Sequence, residues 1–421
     1  MCDSAVQGAP WEERLHDSSV SALYLHLPFC ARKCDYCDFA SWTTSREDPL
    51  MVAYRSALEG QLREVADLGM LRDCETAYVG GGTPTLLGTG LGELVRRVRG
   101  VAPVTELTCE ANPDSLADEV IEAVRAAGGT RLSIGVQSLD DDELSRLGRI
   151  HSAVDARDRV RAAVASGLAV SCDLMCATPG QTGSSWERTL RETVLLGVGH
   201  ISVYPLMIEE GTALSVRVGG GSPAWNDEDV EAARMLQAQV VLEGAGLFRY
   251  EVASYARPER ACRHNITYWT GGTYLGLGTS ASSMLSVEGY LILSKACPQL
   301  PPPPDGSVRV RLTCTSSRRV VAAGKGLGQM SYDLEFLTAR QALAEDLMLG
   351  SRLSSGLSEF LVASSRLRIG GEVDQVLEGL VGDGLLDEDL VPTQRGWLLG
   401  NELYGRLWDL GGAEPVISMS C

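Results

Sequence analysis

The chain has 421 residues, 44% of them apolar, a formal charge of −18, and twelve cysteines in no regular framework. That length and apolar share support one large domain and a smaller one. The acidic balance argues against a nucleic-acid binder, whose affinity comes from Lys and Arg neutralising phosphates. No apolar run is long enough to span a membrane. Scattered cysteines without a cleavable signal point to a reducing, cytoplasmic setting.

Residues 1–20 read as an N-terminal extension. From about Ser21 short β-rich runs alternate with amphipathic helical ones. The strand candidates are ALYLHL, TAYVGG, ELTCEA, RLSIGVQS, VSCDLMCA, HISVYPL and YEVASYA, with patterns such as MVAYRSALEGQLREVADLG and DARDRVRAAVASG between them. Repeated strand–helix units imply a parallel α/β sheet, although periodicity does not separate an open sheet from a partial barrel. The cysteines, a glycine run, Glu110, Gln137 and Asp173 each fall at or near the C-terminal end of a successive strand, which favours a barrel mouth. This domain is placed at 21–284. Past Met284 the alternation stops, and 285–333, with its prolines at Pro301 to Pro304, reads as a linker. Helical patterns return in TARQALAEDLMLGSRLSSG and EVDQVLEGLVGDG, and the tail suggests a small wing before a last helix. A compact, mainly helical, winged-helix-like domain is therefore expected at 334–421.

Cys30, Cys34 and Cys37 stand in the spacing Cys-x3-Cys-x2-Cys. Three thiolates are one fewer than a closed zinc site or a fully cysteine-ligated iron–sulfur cube requires. An open iron on a [4Fe–4S] cube can take the amino and carboxylate groups of S-adenosylmethionine (SAM). The alternatives are a zinc knuckle completed by a distant His or Cys, or three unrelated thiols. Tyr36 and Phe39, beside the ligands, are expected to shelter a cluster. Gly80, Gly81 and Gly82, followed by Thr83-Pro84-Thr85, allow a ligand to approach the backbone, or simply make a tight turn. Glu110, before Ala111-Asn112-Pro113, is either a ribose acceptor or a surface carboxylate. Gln137, Arg149 and Asp173 offer an amide, a cation and a carboxylate to a zwitterionic cofactor, and Arg149 suits a carboxylate through paired bonds. In CRHNITYW a macrocycle could take His264 or Cys262 as an iron ligand and pack on Tyr268 and Trp269. The other reading is an aromatic core turn with a satisfied histidine. Met175, Met207, Met235 and Met284 are expected as core filling, and Cys109, Cys172 and Cys176 as buried thiols.

The segments YLHLPFCARKCDYCDF, VGGGTPTLL, EANPDSL, LSIGVQSLDDDELSRLGRIH, CDLMCATPGQT, HISVYPLMIEEGT and YEVASYARPERACRHNITYWTGGTYLGLG resemble the radical SAM proteins of the coproporphyrinogen III dehydrogenase-like branch. Within it they resemble the HemW-type haem chaperones. The resemblance implies a partial (β/α)6-type barrel, cluster ligation by Cys30, Cys34 and Cys37, and contacts from Tyr24, Gly82 and Glu110 to the cluster-bound SAM. Thr83, Gln137, Arg149 and Asp173 match positions that surround a second SAM in the porphyrinogen-oxidising relatives. Those relatives carry a further cysteine two residues after the last ligand, where this chain has Phe39. The HNxxYW signature, His264 to Trp269, goes with the haem chaperones. The family commonly reads Gly-Pro-Gly-Ala-His-Ser where this chain has Gly278-Thr279-Ser280-Ala281-Ser282-Ser283. The implied function is reversible haem binding and delivery to haem-requiring respiratory proteins, with a peripheral membrane contact left open. The rival readings are an oxygen-independent coproporphyrinogen III dehydrogenase and a related radical SAM methylase.

Overall fold

The computed structural model describes residues 11, 15–218, 227–413 and 415–421, so most of the expected N-terminal extension lies outside the described residues. The strands of the first half are β1 (Ala22–Leu27), β2 (Phe29–Cys30), β3 (Trp42–Thr43), β4 (Thr76–Gly81), β5 (Glu106–Ala111), β6 (Arg131–Gln137), β7 (Ala169–Cys176) and β8 (His200–Pro205). Those that follow are β9 (Phe248–Arg249), β10 (Ser254–Ala256), β11 (Tyr274–Leu277), β12 (Ser282–Ser286), β13 (Ser307–Cys314), β14 (Tyr332–Thr338) and β15 (Ile417–Ser420). All except β2 and β3 join one 13-stranded sheet in the order β15-β14-β13-β12-β11-β1-β4-β5-β6-β7-β8-β10-β9.

From β11 through β1 to β8 every neighbouring pair is parallel. Helices such as Pro49–Asp67, Gly90–Val101 and Gly183–Leu195 make the crossovers that parallel pairing requires. Successive strand residues point to opposite faces, and the sequence uses this directly. Leu107 and Cys109, Leu132 and Ile134, Cys172 and Leu174, and Ile201 and Val203 enter the main hydrophobic core with helix residues Leu94, Val124, Val160 and Leu190. Their alternates Thr108 and Glu110, Arg131 and Ser133, Ser171 and Asp173, and His200 and Ser202 line an internal cavity. The fold is thus a partial barrel with an apolar outside and a polar lumen.

Two expectations need correction. The run YEVASYA supplies only the three residues of β10, antiparallel to β8, because β10 is reached through the β9 hairpin rather than a helical crossover. The parallel strand on the far side of β1 is instead β11, whose TyrLeuGlyLeu run was too short for periodicity to mark. The stretch 285–333 is also more than a linker. Helix Val287–Leu293, β13 and helix Arg318–Ala322 lie in it, and β13 pairs antiparallel with β12 and β14. Residues 301–304 do form a loop, and it is pinned by the Tyr290 hydroxyl donating to the Pro301 carbonyl at 2.6 Å.

Helices Ala339–Gly350, Glu359–Ile369, Glu372–Gly382 and Gly400–Asp409 bury Leu343, Leu347, Leu361, Leu377, Leu380, Leu403 and Leu407 in a second core. The isolated antiparallel bridge Leu386 to Pro392 forms the small wing. Among the described residues no helix is long and apolar enough to cross a membrane.

Candidate functional site

The parallel strands open at their C-terminal ends onto a cavity of about 520 Å³. Cys30, Cys34 and Cys37 line it together with Tyr36, Gly82, Glu110, Gln137, Arg149 and Asp173. Sequence positions more than a hundred residues apart are therefore brought to one mouth. The cysteine loop is held by backbone bonds from Gly82 N–H to the Leu27 carbonyl at 2.8 Å and from Thr83 N–H to the Phe29 carbonyl at 2.7 Å. A Cβ added at Gly82 would lie 2.6 Å from the Phe29 carbonyl oxygen, so the close approach requires glycine.

Burial raises the thiol pKa values of Cys30 and Cys37. Arg149 Nη1 donates to Cys34 Sγ at 3.3 Å, and its Nη2 donates to Asn112 Oδ1 and the Gly135 carbonyl at 2.8 Å each. Among the described residues Arg149 Nε is buried without a partner. Gln137, at φ 65, sits where β6 slips register against β7. A left-handed backbone at a non-glycine residue is uncommon and gathers at functional sites. Among the described residues no three His, Cys, Asp or Glu side chains converge on a single metal ion. Three thiols facing a roomy cavity fit a cube better than a single ion, because each cysteine of a [4Fe–4S] cluster ligates its own iron.

Glu110 accepts a hydrogen bond from Gly81 N–H at 2.9 Å. Burial pushes its pKa up to about 7, opposed by that bond and reinforced by the charge of Asp173. Asp173 accepts from Ser133 Oγ at 3.0 Å and is raised to about 6 by burial. Deeper in the lumen Arg131 pairs with Glu106 at 3.2 Å and also donates to the carbonyls of Arg260 and Ala261. Sequence reasoning did not mark this floor. The alternation of polar residues through β5 to β8 was the signal for it.

Several expected contacts lie off the cavity. His264 is 1% exposed. Its Nδ1 meets Thr76 Oγ1 and its Nε2 meets the Tyr268 hydroxyl, each at 2.9 Å. The ring stacks on Tyr78 with centroids 5.2 Å apart, and burial lowers its pKa to about 3. Of the two readings of this segment, haem ligand or satisfied core histidine, its burial and bonds match the second. Tyr268 meets Tyr274 edge-on at 4.6 Å, and Trp269 lies under the Arg352 guanidinium at 5.3 Å. Neither lines the cavity, whereas Cys262 and Asn265 of the same segment do. Tyr24 stacks on Tyr78 and bonds His26 Nδ1 at 2.9 Å behind the wall. Thr83 accepts from Asn112 Nδ2 at 2.9 Å, donates to Cys30 Sγ at 3.6 Å, and lines a small side pocket with Cys34 and Arg149. Phe39 and Met207, expected to shelter the loop and fill the core, are instead 71% and 64% exposed on the cavity rim.

Comparison with known proteins agrees with this architecture. Residues 24–193 match the Radical SAM superfamily. A Mycobacterium tuberculosis protein named Heme chaperone HemW is 35% identical over 398 residues, covering 91% of this chain and 94% of that protein. The Bacillus subtilis protein of the same name is 30% identical over 397 residues, covering 92% and 98%. Coproporphyrinogen III oxidase (HemN) from Escherichia coli has the same fold, with a TM-score of 0.72 at 19% identity over 95% of this chain and 92% of that one. A shared open barrel and relatives aligned nearly end to end leave one placement: the chain belongs to the HemW family of radical SAM proteins.

Proposed function

We propose that this protein holds a [4Fe–4S] cluster through Cys30, Cys34 and Cys37, binds SAM beside it, and carries haem reversibly to haem-requiring respiratory proteins in the cytoplasm or at the membrane face. The observation that carries the reading is the gathering of the three cysteines, Gly82, Glu110 and Arg149 around one cavity in a HemW-family chain. Cys30, Cys34 and Cys37 would hold the cube through three of its irons, and a cube held this way, once reduced, would supply electron-transfer chemistry to a SAM bound beside it. Gly82 lets its turn pack directly on the Phe29 backbone, which positions the cysteine loop. Glu110, once ionised, accepts hydrogen bonds from a ribose diol, and Arg149 lends positive charge to the Cys34 sulfur and fixes Asn112 beside it. Asp173 and Gln137 extend the polar wall away from the cysteines.

Phe39 supports carriage over porphyrinogen oxidation, since it stands where the oxidising relatives have a further cysteine. The test is an anaerobic haem titration of the iron- and sulfide-reconstituted protein, run beside a coproporphyrinogen III turnover assay. Saturable haem uptake without protoporphyrinogen formation is expected. Turnover without haem uptake would make the protein a biosynthetic decarboxylase.

A further inference from the structure

The rim of the cavity carries three exposed aromatic or apolar side chains. Phe39, Tyr204 and Met207 are 71%, 43% and 64% exposed, and all three line the mouth. They come from the cysteine loop and from the end of β8, elements joined beneath by Tyr36 packing with Met175, Leu206 and Leu214. Exposed apolar clusters ringed by polar groups mark binding surfaces. A thioether is polarisable and adaptable, and it is an established class of haem-iron ligand.

The histidines and Cys262 are committed elsewhere. The chain has five histidines. His26, His151, His200 and His264 have both ring nitrogens engaged by protein partners. His16 is paired with Glu288 on the surface, and of the five only His200 lines the cavity. The Cys262 thiol is buried against Glu106 Oε1 at 3.5 Å. Among the cations on the cavity wall, Arg131 and Arg149 are tied to internal partners. Arg32 is 54% exposed, with a loose 3.9 Å pair to Asp35. Asp38 and Glu209 also line the cavity and would repel a carboxylate, which leaves the neighbourhood of Arg32 for an anionic edge.

We infer that haem seats at the cavity mouth against Phe39 and Tyr204, with Met207 Sδ as an axial ligand to its iron and Arg32 meeting a propionate. This rests on the haem-carrying function proposed above. It places the cargo beside the cluster loop and not on the His264 helix. Loading is a ligand exchange: a bond from Met207 Sδ to the iron forms as the iron's bond to a solvent or carrier ligand breaks, that ligand leaves, and the iron keeps its oxidation state.

The test is an anaerobic haem titration of the cluster-loaded protein followed by difference absorbance, comparing wild type with Met207→Leu, Phe39→Ala and, as a remote control, Met419→Leu. Met207→Leu keeps the apolar bulk and removes the sulfur. The expected result is an altered haem spectrum with at least tenfold weaker binding in Met207→Leu, several-fold weaker binding in Phe39→Ala, and no change in Met419→Leu. Binding and spectrum unchanged in Met207→Leu would overturn the site while leaving haem carriage standing. No saturable uptake by wild type would overturn haem carriage itself, and the site with it. The cluster absorbance of each variant verifies that the loop is intact.

Discussion

At Glu110 burial opposes ionisation, and that sets a pH dependence of definite sign. Its pKa rises from the ordinary 4.5 to about 7, so the folded chain binds a proton that the unfolded chain has already released across that interval. The associated stabilisation is present below about pH 4.5 and is lost as pH rises through about 7. Ligand-free protein is therefore expected to lose stability between these values, and Glu110→Gln to flatten the slope in urea unfolding midpoints. An unchanged slope in the variant would assign the effect to another group. SAM affinity is expected to run the opposite way, rising towards pH 7 as the carboxylate forms and becomes a ribose acceptor, with Glu110→Gln weak throughout. His264 shows the other side of residue-scale reasoning. Its residue type and motif admit both a haem ligand and a core histidine, and only the Thr76 and Tyr268 bonds decide between them. His264→Ala leaves two buried hydroxyls without their partner and opens a cavity beside Tyr78, a loss of roughly 2–4 kcal/mol. Calorimetry should record that drop, while haem bound per folded molecule stays at the wild-type level. A stable variant that has lost haem would restore His264 as the ligand.

At the scale of elements, the site is made by a contact between two segments, the cysteine loop after β1 and the glycine run that ends β4 and enters the turn at Gly82. Gly82→Ala would put a methyl carbon into the Phe29 backbone, and Phe29 belongs to the same short strand as Cys30. The neighbour is main chain and cannot rotate away, so the loop has to move. Iron and sulfide retained after reconstitution should fall severalfold with the helix content unchanged, and full cluster loading would refute the packing role given to Gly82. Much of this was legible beforehand. The spacing of Cys30, Cys34 and Cys37, the glycine run, and the ends of β5 to β7 marked the mouth, because strand termini in a parallel barrel converge whatever the packing details. The alternation of Leu107 and Cys109 with Thr108 and Glu110 also carries the division between core and lumen, although the sequence reading did not draw it. The elements beyond β8 were less legible for a physical reason. β10 has three residues and β11 four, too few for a period to emerge. β13 alternates cleanly but follows a run of prolines that reads as a break in structure. Met207 was misplaced because a methionine in an apolar strand end looks the same in sequence whether it faces the core or the solvent.

Among the contacts that join the two cores, which include the Arg311–Glu345 pair and the Trp397 Nε1 bond to the Val252 carbonyl, the most buried is a single charge pair. Arg309 of β13 and Asp346 of helix Ala339–Gly350 meet through paired bonds of 2.6 and 2.8 Å, with side chains only 3% and 1% exposed. Trp11 Nε1 donates to the same carboxylate at 3.0 Å, and Gly271, in the turn after helix Arg263–Trp269, passes so close that a Cβ there would come within 2.2 Å of it. One carboxylate thus ties the sheet, the C-terminal helices and Trp11 to each other, with the turn after the HNxxYW helix packed against it. Buried pairs carry a large desolvation cost, so the pair need not add net stability over an apolar replacement, but removing one partner strands the other charge at roughly 3–5 kcal/mol. Asp346→Ala is therefore expected to lower the urea midpoint sharply. It should also uncouple the transitions, with the C-terminal helices unfolding before the barrel because the shared acceptor is gone. Replacing both residues, as in Arg309→Met with Asp346→Leu, should recover most of the midpoint, since neither charge is then left in the interior. If the single and double variants were equally unstable, the clamp would act through the shape of the junction with Trp11 and Gly271 and not through charge.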